Sequence, residues 1–400
     1  MNEEISNIIN QEENLEKKEL FSTGYSGAKF TVDSPVFDVA EHFDDLLRWA
    51  FKEKVSDLNF KSNQPVYPDI AGNLEKVTDF KLEHYQVEQL VNYMYGANGT
   101  SRLSDSQDLD LSYEVKNSKS DYLRFRVNAT ACRVDNGNGI EVTMRLLSST
   151  PPLMSDLNIE PIIVNNWKQD EGLILVCGAT GSGKSTLLSA GTRMLIEDPD
   201  YSKKILEYSA PIEYVYDTCN FPKGFNPISQ SEIPRHLPTF SAGVRNSLRR
   251  KPTAIIVGET RDRETIDATL EASLTGHIVY STLHTNGVVE TLRRILAFYS
   301  GTERESRSID IMNSLRMIIN QKLLPKKGGG LVGVREYFVF NKEDRLKFLE
   351  TPSDQWTTLA NKLLNDKEHE RSKSFKKSCM ELLDKGLITE ETYHEKVVNM

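Results

Sequence analysis

Residues 178–186 of this 400-residue chain read Gly178-Ala179-Thr180-Gly181-Ser182-Gly183-Lys184-Ser185-Thr186. The spacing matches GxxxxGK[ST], the pattern of phosphate-binding loops. Glycines let backbone N–H groups turn inward around phosphate oxygens, and the positive end of a following helix adds to the attraction. We expect Lys184 to reach the β- and γ-phosphates and Ser185 to ligate Mg²⁺. A ligand-free glycine-rich turn is the alternative, but an apolar strand precedes the loop and helical periodicity follows it, so the pattern predicts a nucleotide site.

Two carboxylates follow later strand candidates. Residues 254–257 are apolar and lead through Gly258 to Glu259, which could hold the Mg²⁺ shell beside the phosphates. Glu213 follows the strand candidate 204–208 and could polarise the attacking water as a general base. An exposed surface glutamate is the alternative for Glu213, and spacing alone does not decide between the two.

Two histidines flank a further apolar stretch. His277 and His284 stand on either side of the strand candidate Ile278 to Ser281. A neutral imidazole at a strand end could sense the γ-phosphate through a hydrogen bond. The alternative for each is an ordinary core or surface histidine. No histidine or cysteine cluster suggests a transition metal, and the four cysteines are too far apart for zinc or disulfide spacing.

The order of elements predicts two folded parts. Helical and strand patterns alternate irregularly up to residue 149, which predicts an α+β domain over 36–149 after a mobile acidic leader at 1–35. Pro151 and Pro152 then predict an extended linker, 150–165. Strands alternate with helices over 166–350, which predicts an α/β domain with a mostly parallel sheet. Residues 351–400 are expected to form short C-terminal helices.

Composition and charge exclude several classes of protein. The formal net charge of −9 disfavours nucleic acid as a direct ligand, because phosphate-binding surfaces usually carry a basic surplus. No apolar run approaches the ~20 residues needed to span a bilayer, so direct membrane insertion is not expected. The polar N-terminus has no apolar core typical of a secretory signal. These features predict a cytoplasmic protein.

With these elements in order, the chain resembles the secretion ATPase superfamily of the PilT and GspE types. The matching segments are the phosphate loop, Pro211-Ile212-Glu213, residues 257–262 and residues 275–284, with an earlier Arg124-Phe-Arg126-Val-Asn128. Within it, segments 95–100, 229–236, 243–252 and 271–277 look closest to the DotB and TraJ ATPases of type IVB secretion and related conjugation systems. The split between secretion and conjugation is not visible in these residues.

The resemblance implies a homohexameric ring whose subunits join a PAS-like N-terminal domain to a RecA-like motor domain. It implies ATP and Mg²⁺ as ligands, and a position at the cytoplasmic face of the inner membrane beside secretion or transfer components. By the same resemblance Glu213 is the catalytic base, Glu259 the Walker B acid and His284 the His-box histidine. The N-terminal domain is expected to bring three arginines to the phosphates: Arg124, Arg126 and Arg145.

One departure keeps alternatives open. The family often has EDPIE where this chain has Ser209-Ala-Pro-Ile-Glu213, so two upstream acids are absent and Glu207 is no convincing replacement. A nucleotide-binding switch with little hydrolysis therefore remains an alternative to a motor. A nucleic-acid translocase is another, since Arg245, Arg249, Arg250 and Lys251 could line a channel, although the acidic total disfavours it.

Overall fold

The structure is a computed structural model of the 400-residue chain. It describes residues 27–398, apart from 35, 56, 71–72, 117–121, 136, 148–149, 202 and 367. Most of the predicted leader, residues 1–26 and 35, therefore lies outside the described residues. The chain divides into two compact units, Met1–Ser149 and Thr150–Met400. Among the described residues, no helix combines the length and apolar character needed to cross a bilayer.

The N-terminal unit is built on an antiparallel sheet of four strands in the order β1-β6-β5-β4. Its helices supply apolar side chains, such as Phe43 and Leu90, to one core shared with Phe60 and Phe125 of the sheet. The first helix begins where the Asp38 carboxylate accepts hydrogen bonds from two backbone N–H groups of the first turn. The elements are α1 (Val39–Lys52), β1 (Asp57–Lys61), β2 (Asp69–Ile70), β3 (Asn73–Leu74), α2 (His84–Tyr95), α3 (Gly99–Ser104), β4 (Leu109–Lys116), β5 (Tyr122–Val134) and β6 (Gly137–Leu147).

The C-terminal unit is an α/β domain around an eight-stranded sheet with the order β14-β13-β12-β7-β11-β10-β8-β9. Its strands are β7 (Gly172–Cys177), β8 (Ile205–Ser209), β9 (Ile228–Glu232), β10 (Ala254–Val257), β11 (Ile278–Leu283), β12 (Leu315–Pro325), β13 (Leu331–Val339) and β14 (Ser372–Lys373). Neighbours from β12 through to β9 run parallel, and β13 and β14 add antiparallel pairs at one edge. The expected mostly parallel sheet is confirmed.

Helices cover both faces of this sheet. They are α4 (Pro161–Asn165), α5 (Lys184–Glu197), α6 (Phe240–Ser247), α7 (Arg263–Leu274), α8 (Val288–Leu296), α9 (Gly301–Ser314), α10 (Lys342–Leu349), α11 (Trp356–Asn365), α12 (Phe375–Asp384) and α13 (Glu390–Val398). Every residue of β7 is buried, and its side chains alternate between two cores. Leu173 and Leu175 enter one core and Ile174 and Val176 the other. This two-sided burial explains why the strand is continuously apolar.

Five strands were not expected from the sequence: β3, β4, β9, β12 and β14. The longest of them, β12, pairs in parallel with β7 and follows α9 without any Gly or Pro between them. A strand that begins directly at a helix end offers no turn signal, so its start is hard to see in the sequence. The C-terminal helices are confirmed, with the short strand β14 between two of them.

One close approach within the C-terminal unit should limit substitution. Gly191 lies inside α5, where an added Cβ would overlap the fully buried indole of Trp167. That ring stacks on Tyr280, with 5.3 Å between the ring centroids, and has little room to move. Alanine gains ~1 kcal/mol in helix propensity over glycine, but overpacking costs about 1–3 kcal/mol or more.

We therefore expect Gly191→Ala to lower the unfolding temperature by about 2–8 °C in a thermal melt followed by circular dichroism. Gly137→Ala makes the same change where no atom lies within 4 Å of the new Cβ, and serves as the matched control. Equal melting temperatures for the two variants would show that the Trp167 ring can move to make room for the added methyl group.

Candidate functional site

The predicted phosphate loop and both predicted carboxylates follow the carboxyl ends of neighbouring strands. The loop follows β7, the Glu213 segment follows β8, Glu259 follows β10 and His284 follows β11. These four strands are consecutive in the sheet and parallel, so their carboxyl ends meet at one edge. In open parallel sheets this edge is the usual position of a ligand site.

The loop has the backbone that its glycines predict. Gly178 and Gly183 have φ of +149° and +80°, conformations that side chains rarely adopt. A Cβ on Gly178 would lie 2.5 Å from the carbonyl oxygen of Gln321, and one on Gly183 would lie 2.8 Å from Nε2 of the same residue. Glycine is therefore required twice over, by conformation and by the approach of β12. Helix α5 begins immediately after, at Lys184.

The Lys184 ammonium lies inside the loop. Its side chain is only 8% exposed, and Nζ donates to the carbonyl oxygens of Gly178 at 2.9 Å and Ala179 at 2.8 Å. Burial lowers the pKa of Lys184, while the carboxylates of Glu213 and Glu259 oppose the shift. Both carboxylates are thus within electrostatic range of the ammonium. The ammonium therefore lies where it could donate to phosphate oxygens in place of these two carbonyl oxygens.

The loop fits a bound phosphate group. The buried Ser182 hydroxyl has no hydrogen-bond partner within the described part of the chain, and a phosphate oxygen would supply an acceptor. Ser185, half-buried in the first turn of α5, and Glu259, with a side chain 14% exposed, supply oxygens of the kind that Mg²⁺ prefers. The residues present therefore fit a nucleotide and its magnesium ion.

Glu259 lies beside an arginine and a histidine. Its carboxylate is 2.7 Å from Nε of Arg261 and 3.9 Å from Nε2 of His284. Burial lowers the pKa of His284, and the charges of Lys184 and Arg261 lower it further. A lowered pKa keeps the imidazole neutral at pH 7, as a sensor that can donate or accept a hydrogen bond requires.

The structure separates the two predicted histidines. His277 precedes β11 at the amino end of the strand, where Nδ1 lies 3.1 Å from the carbonyl oxygen of Ala272. His284 follows the carboxyl end of the same strand, beside Glu259. Of the two, only His284 lies at the edge that carries the phosphate loop.

The segment carrying Glu213 is held on both sides by β9. The backbone N–H of Ile212 donates to Glu232 at 3.2 Å, and Nε2 of Gln230 donates to the carbonyl oxygen of Tyr214 at 2.8 Å. Gln230 also donates to Glu207, which accepts a second hydrogen bond from Ser209. Glu207 is therefore hydrogen-bonded within the sheet, and the expectation that it does not replace the missing acids stays a prediction.

The three arginines of the N-terminal unit lie on one face of its sheet. Arg124 and Arg126 are two residues apart on β5, and Arg145 is the register partner of Arg126 on β6. Each pairs with a carboxylate of the same sheet, over 3.0 Å to Glu114, 2.8 Å to Asp110 and 2.6 Å to Asp57 respectively. Arg124 is 1% exposed, whereas the other two are accessible. Their approach to phosphates stays a prediction.

Sequence reasoning missed the polar residues of β12 that contact the site. Nδ2 of Asn320 donates to the carbonyl oxygen of Thr285, next to His284, and Nε2 of Gln321 donates to that of Ser182 in the phosphate loop. A signal was present, because this amide pair directly follows the apolar run Met317 to Ile319 within β12. Buried amides of this kind need hydrogen-bond partners, and here the partners are the two functional loops.

A phosphate loop, with acids and a histidine at the carboxyl ends of a parallel sheet, defines a RecA-like P-loop ATPase. Residues 101–350 match the family described as Type II/IV secretion system protein. The chain belongs to this family and is a secretion ATPase of the DotB and PilT kind. A curated relative, the type IV pilus retraction ATPase PilT of Pseudomonas aeruginosa, is 32% identical over 295 residues, or 74% of this chain and 81% of PilT.

Solved structures extend the likeness to both units. The X-ray structure of the Legionella pneumophila ATPase DotB is 40% identical to this chain, with a TM-score of 0.86, and the match covers 93% of this chain and 99% of DotB. A crystal structure of the pilus retraction motor PilT with bound ADP is 28% identical, with a TM-score of 0.73 over 88% of this chain and 96% of PilT. The fold is thus an N-terminal domain followed by a RecA-like motor domain, as expected.

Proposed function

We propose that this protein hydrolyses Mg-ATP as a homohexameric motor for a type IVB secretion or conjugative transfer system. The observation that carries the proposal is the meeting of Lys184, Glu259, His284 and the Glu213 segment at the ends of four neighbouring strands. The 40% identity to DotB over nearly the whole chain supports the type IVB assignment. The similarity to PilT makes pilus retraction the second candidate function.

In this proposal the phosphate loop, residues 178–186, binds the triphosphate. Backbone N–H groups and the Lys184 ammonium take up the phosphate charge, and Ser185 and Glu259 hold the magnesium ion. When bound, Mg²⁺ neutralises charge on the β- and γ-phosphates. Phosphoryl transfer to water needs correct positioning and neutralisation of the phosphate charge, and it needs no covalent intermediate with the protein. These groups would provide the positioning and the positive charge.

Glu213 is the proposed general base. Its carboxylate accepts a proton from a water molecule whose oxygen attacks the γ-phosphorus, while the bond from that phosphorus to the bridging β-oxygen breaks. His284, neutral because of its lowered pKa, is the proposed sensor of the γ-phosphate. The contacts of β9 with Ile212 and Tyr214 hold the base segment without the two acids that the family often has there.

Loss of the γ-phosphate removes contacts that favour one arrangement of the two domains, which is how hydrolysis would drive motion. We propose residues 36–149 and 166–350 as the moving domains, residues 150–165 as the linker between them, with the rotation absorbed at Pro151 and Pro152, and 351–400 as a C-terminal helical part. Arg124, Arg126 and Arg145 are the proposed N-terminal phosphate contacts. The proposed partners are five further copies of the chain and inner-membrane components at the cytoplasmic face.

The test is steady-state ATP hydrolysis by the purified chain and by Glu213→Gln, with light scattering for mass. We expect the variant to lose about 10²–10⁴-fold in kcat, the usual contribution of a general base, in a species of about six chains. Glu343→Gln, at an exposed glutamate of α10, is the matched control and should keep parental turnover. Nucleotide binding without turnover in the parent would favour the switch, and salt-dependent binding of single-stranded DNA would favour the translocase.

A further inference from the structure

A buried glutamine on β12 forms a hydrogen bond with the backbone of the phosphate loop. Nε2 of Gln321 donates to the carbonyl oxygen of Ser182 at 2.8 Å, and the side chain is only 4% exposed. In a trans peptide the C=O and N–H bonds point in opposite directions. Holding the Ser182 oxygen against β12 therefore aims the N–H of Gly183 away from β12. The hydrogen bond thus sets the orientation of one of the loop's N–H donors.

A buried arginine decides which way the glutamine amide faces. Nε of Arg335 donates to Oε1 of Gln321 at 2.8 Å, and the two residues are register partners on β13 and β12. A guanidinium can only donate hydrogen bonds, so it must face the amide oxygen. The amide nitrogen is then left to face Ser182. A freely turning amide could present either atom to the loop, but this one can present only its donor.

The same guanidinium holds the segment that precedes α4. Its Nη1 donates to the carbonyl oxygen of Asn158 at 3.1 Å and to Glu160 at 3.2 Å, and its Nη2 donates to the carbonyl oxygen of Leu157 at 3.0 Å. Arg335 is 2% exposed, and burial lowers its pKa. Burying a guanidinium is costly unless its donors are satisfied, and here backbone and side-chain oxygens satisfy them. Residues 157–160 belong to the proposed linker, so one hydrogen-bonded chain joins that segment to the phosphate loop.

We infer that Gln321 and Arg335 are positioning residues for nucleotide binding: Arg335 orients the Gln321 amide, Gln321 fixes the Ser182–Gly183 peptide, and the pair links the phosphate loop to residues 157–160. The inference rests on the proposed role of residues 178–186 as the phosphate site. Neither side chain contacts the nucleotide in this scheme. Their effect is on the preorganisation of the loop, and so on affinity for the β-phosphate.

The test is Gln321→Glu, which keeps an oxygen toward Arg335 but turns a second oxygen, in place of the donor, toward the Ser182 carbonyl. By isothermal titration calorimetry we expect the Kd for ADP to rise about 10- to 100-fold, the size of one lost hydrogen bond to a charged group. The Kd for AMP, which has no β-phosphate, should change less than about 2-fold by the same reasoning.

Gln86→Glu is the matched control. Gln86 is a buried glutamine of α2 whose Nε2 also donates to a backbone carbonyl, that of Phe37 at 2.6 Å. The same substitution at Gln86 also buries a carboxylate, and the fall in melting temperature measures the cost of that burial. The Kd of this variant for ADP should equal that of the parent. A general loss of stability would therefore not imitate the expected result.

Arg335→Lys is the second variant, since it keeps the charge but cannot donate to Gln321 and to residues 157–160 together. We expect its Kd for ADP to rise about 3- to 10-fold, the effect of a weakened network. A folded Gln321→Glu protein that binds ADP within 2-fold of the parent would overturn the inference. If that variant does not fold, an unchanged Kd in Arg335→Lys would overturn it. A parent chain that binds no ADP would instead contradict the proposed function.

Discussion

Replacing Lys184 with alanine should reduce ATP affinity about 100-fold and bring turnover below about 1% of the parent. The Nζ group now donates two hydrogen bonds inside the loop, and in the nucleotide complex it would donate to phosphate oxygens. Each hydrogen bond to a charged group contributes about 1.5–3 kcal/mol. Two such bonds, each at the lower end of that range, account for the expected loss, which calorimetry with ATP and a phosphate-release assay would measure.

The control for this variant is Lys203→Ala in the same unit. Lys203 forms an ion pair at 2.8 Å with Asp170, and exposed pairs of this kind contribute at most about 1 kcal/mol to stability. It should keep parental affinity and turnover. Turnover of Lys184→Ala within 2-fold of the parent would show that residues 178–186 are not the phosphate site.

Glu259→Gln should have the opposite signature, with ATP bound and hydrolysis lost. The amide is nearly isosteric but neutral, so it weakens the hold on Mg²⁺ and removes the negative charge beside Arg261 and His284. We expect kcat to fall about 10²–10³-fold, the usual effect of losing one preorganised electrostatic group, while the Kd for ATP changes less than about 5-fold. Gel filtration, followed by identification of the retained nucleotide as ATP or ADP, would show whether the variant keeps ATP bound without hydrolysing it.

Glu271→Gln, at an exposed position of α7, is the matched control for the loss of one carboxylate. It should release ADP as the parent does. If Glu259→Gln lost affinity and turnover together, Glu259 would contribute mainly to the structure of the loop. The contrast between Lys184 and Glu259 therefore separates binding of the phosphates from their hydrolysis.

Local patterns were sufficient to predict the elements around the phosphate loop. The bounds of β10 agree with the predicted strand 254–257, and β7 is the apolar strand predicted before the phosphate loop. These segments have strong periodicity or continuous burial, and clear turn signals at their ends. Lys184 was predicted from the loop motif, and Glu213 and Glu259 were predicted from their positions a few residues after recognisable strands.

The partners of those residues were decided by the tertiary structure. Gln321 lies 139 residues after Ser182 in the chain, and only the pairing of β12 with β7 brings its amide to the loop. The same holds for the contacts of β9 with the Glu213 segment, because β9 was not visible as a strand. His277 and His284 look equivalent in the sequence, but β11 separates them to opposite ends.

Spacing along the sequence therefore predicted which residues form the proposed nucleotide site. The order of strands in the sheet determined which other side chains contact and position those residues. The loop motif is local because its glycines, lysine and serine act through adjacent backbone atoms. The support from Gln321 and Arg335 is nonlocal because a buried amide or guanidinium acquires its role only from the groups packed against it. Strand pairing over long separations makes those contacts, and no spacing rule along the chain contains them.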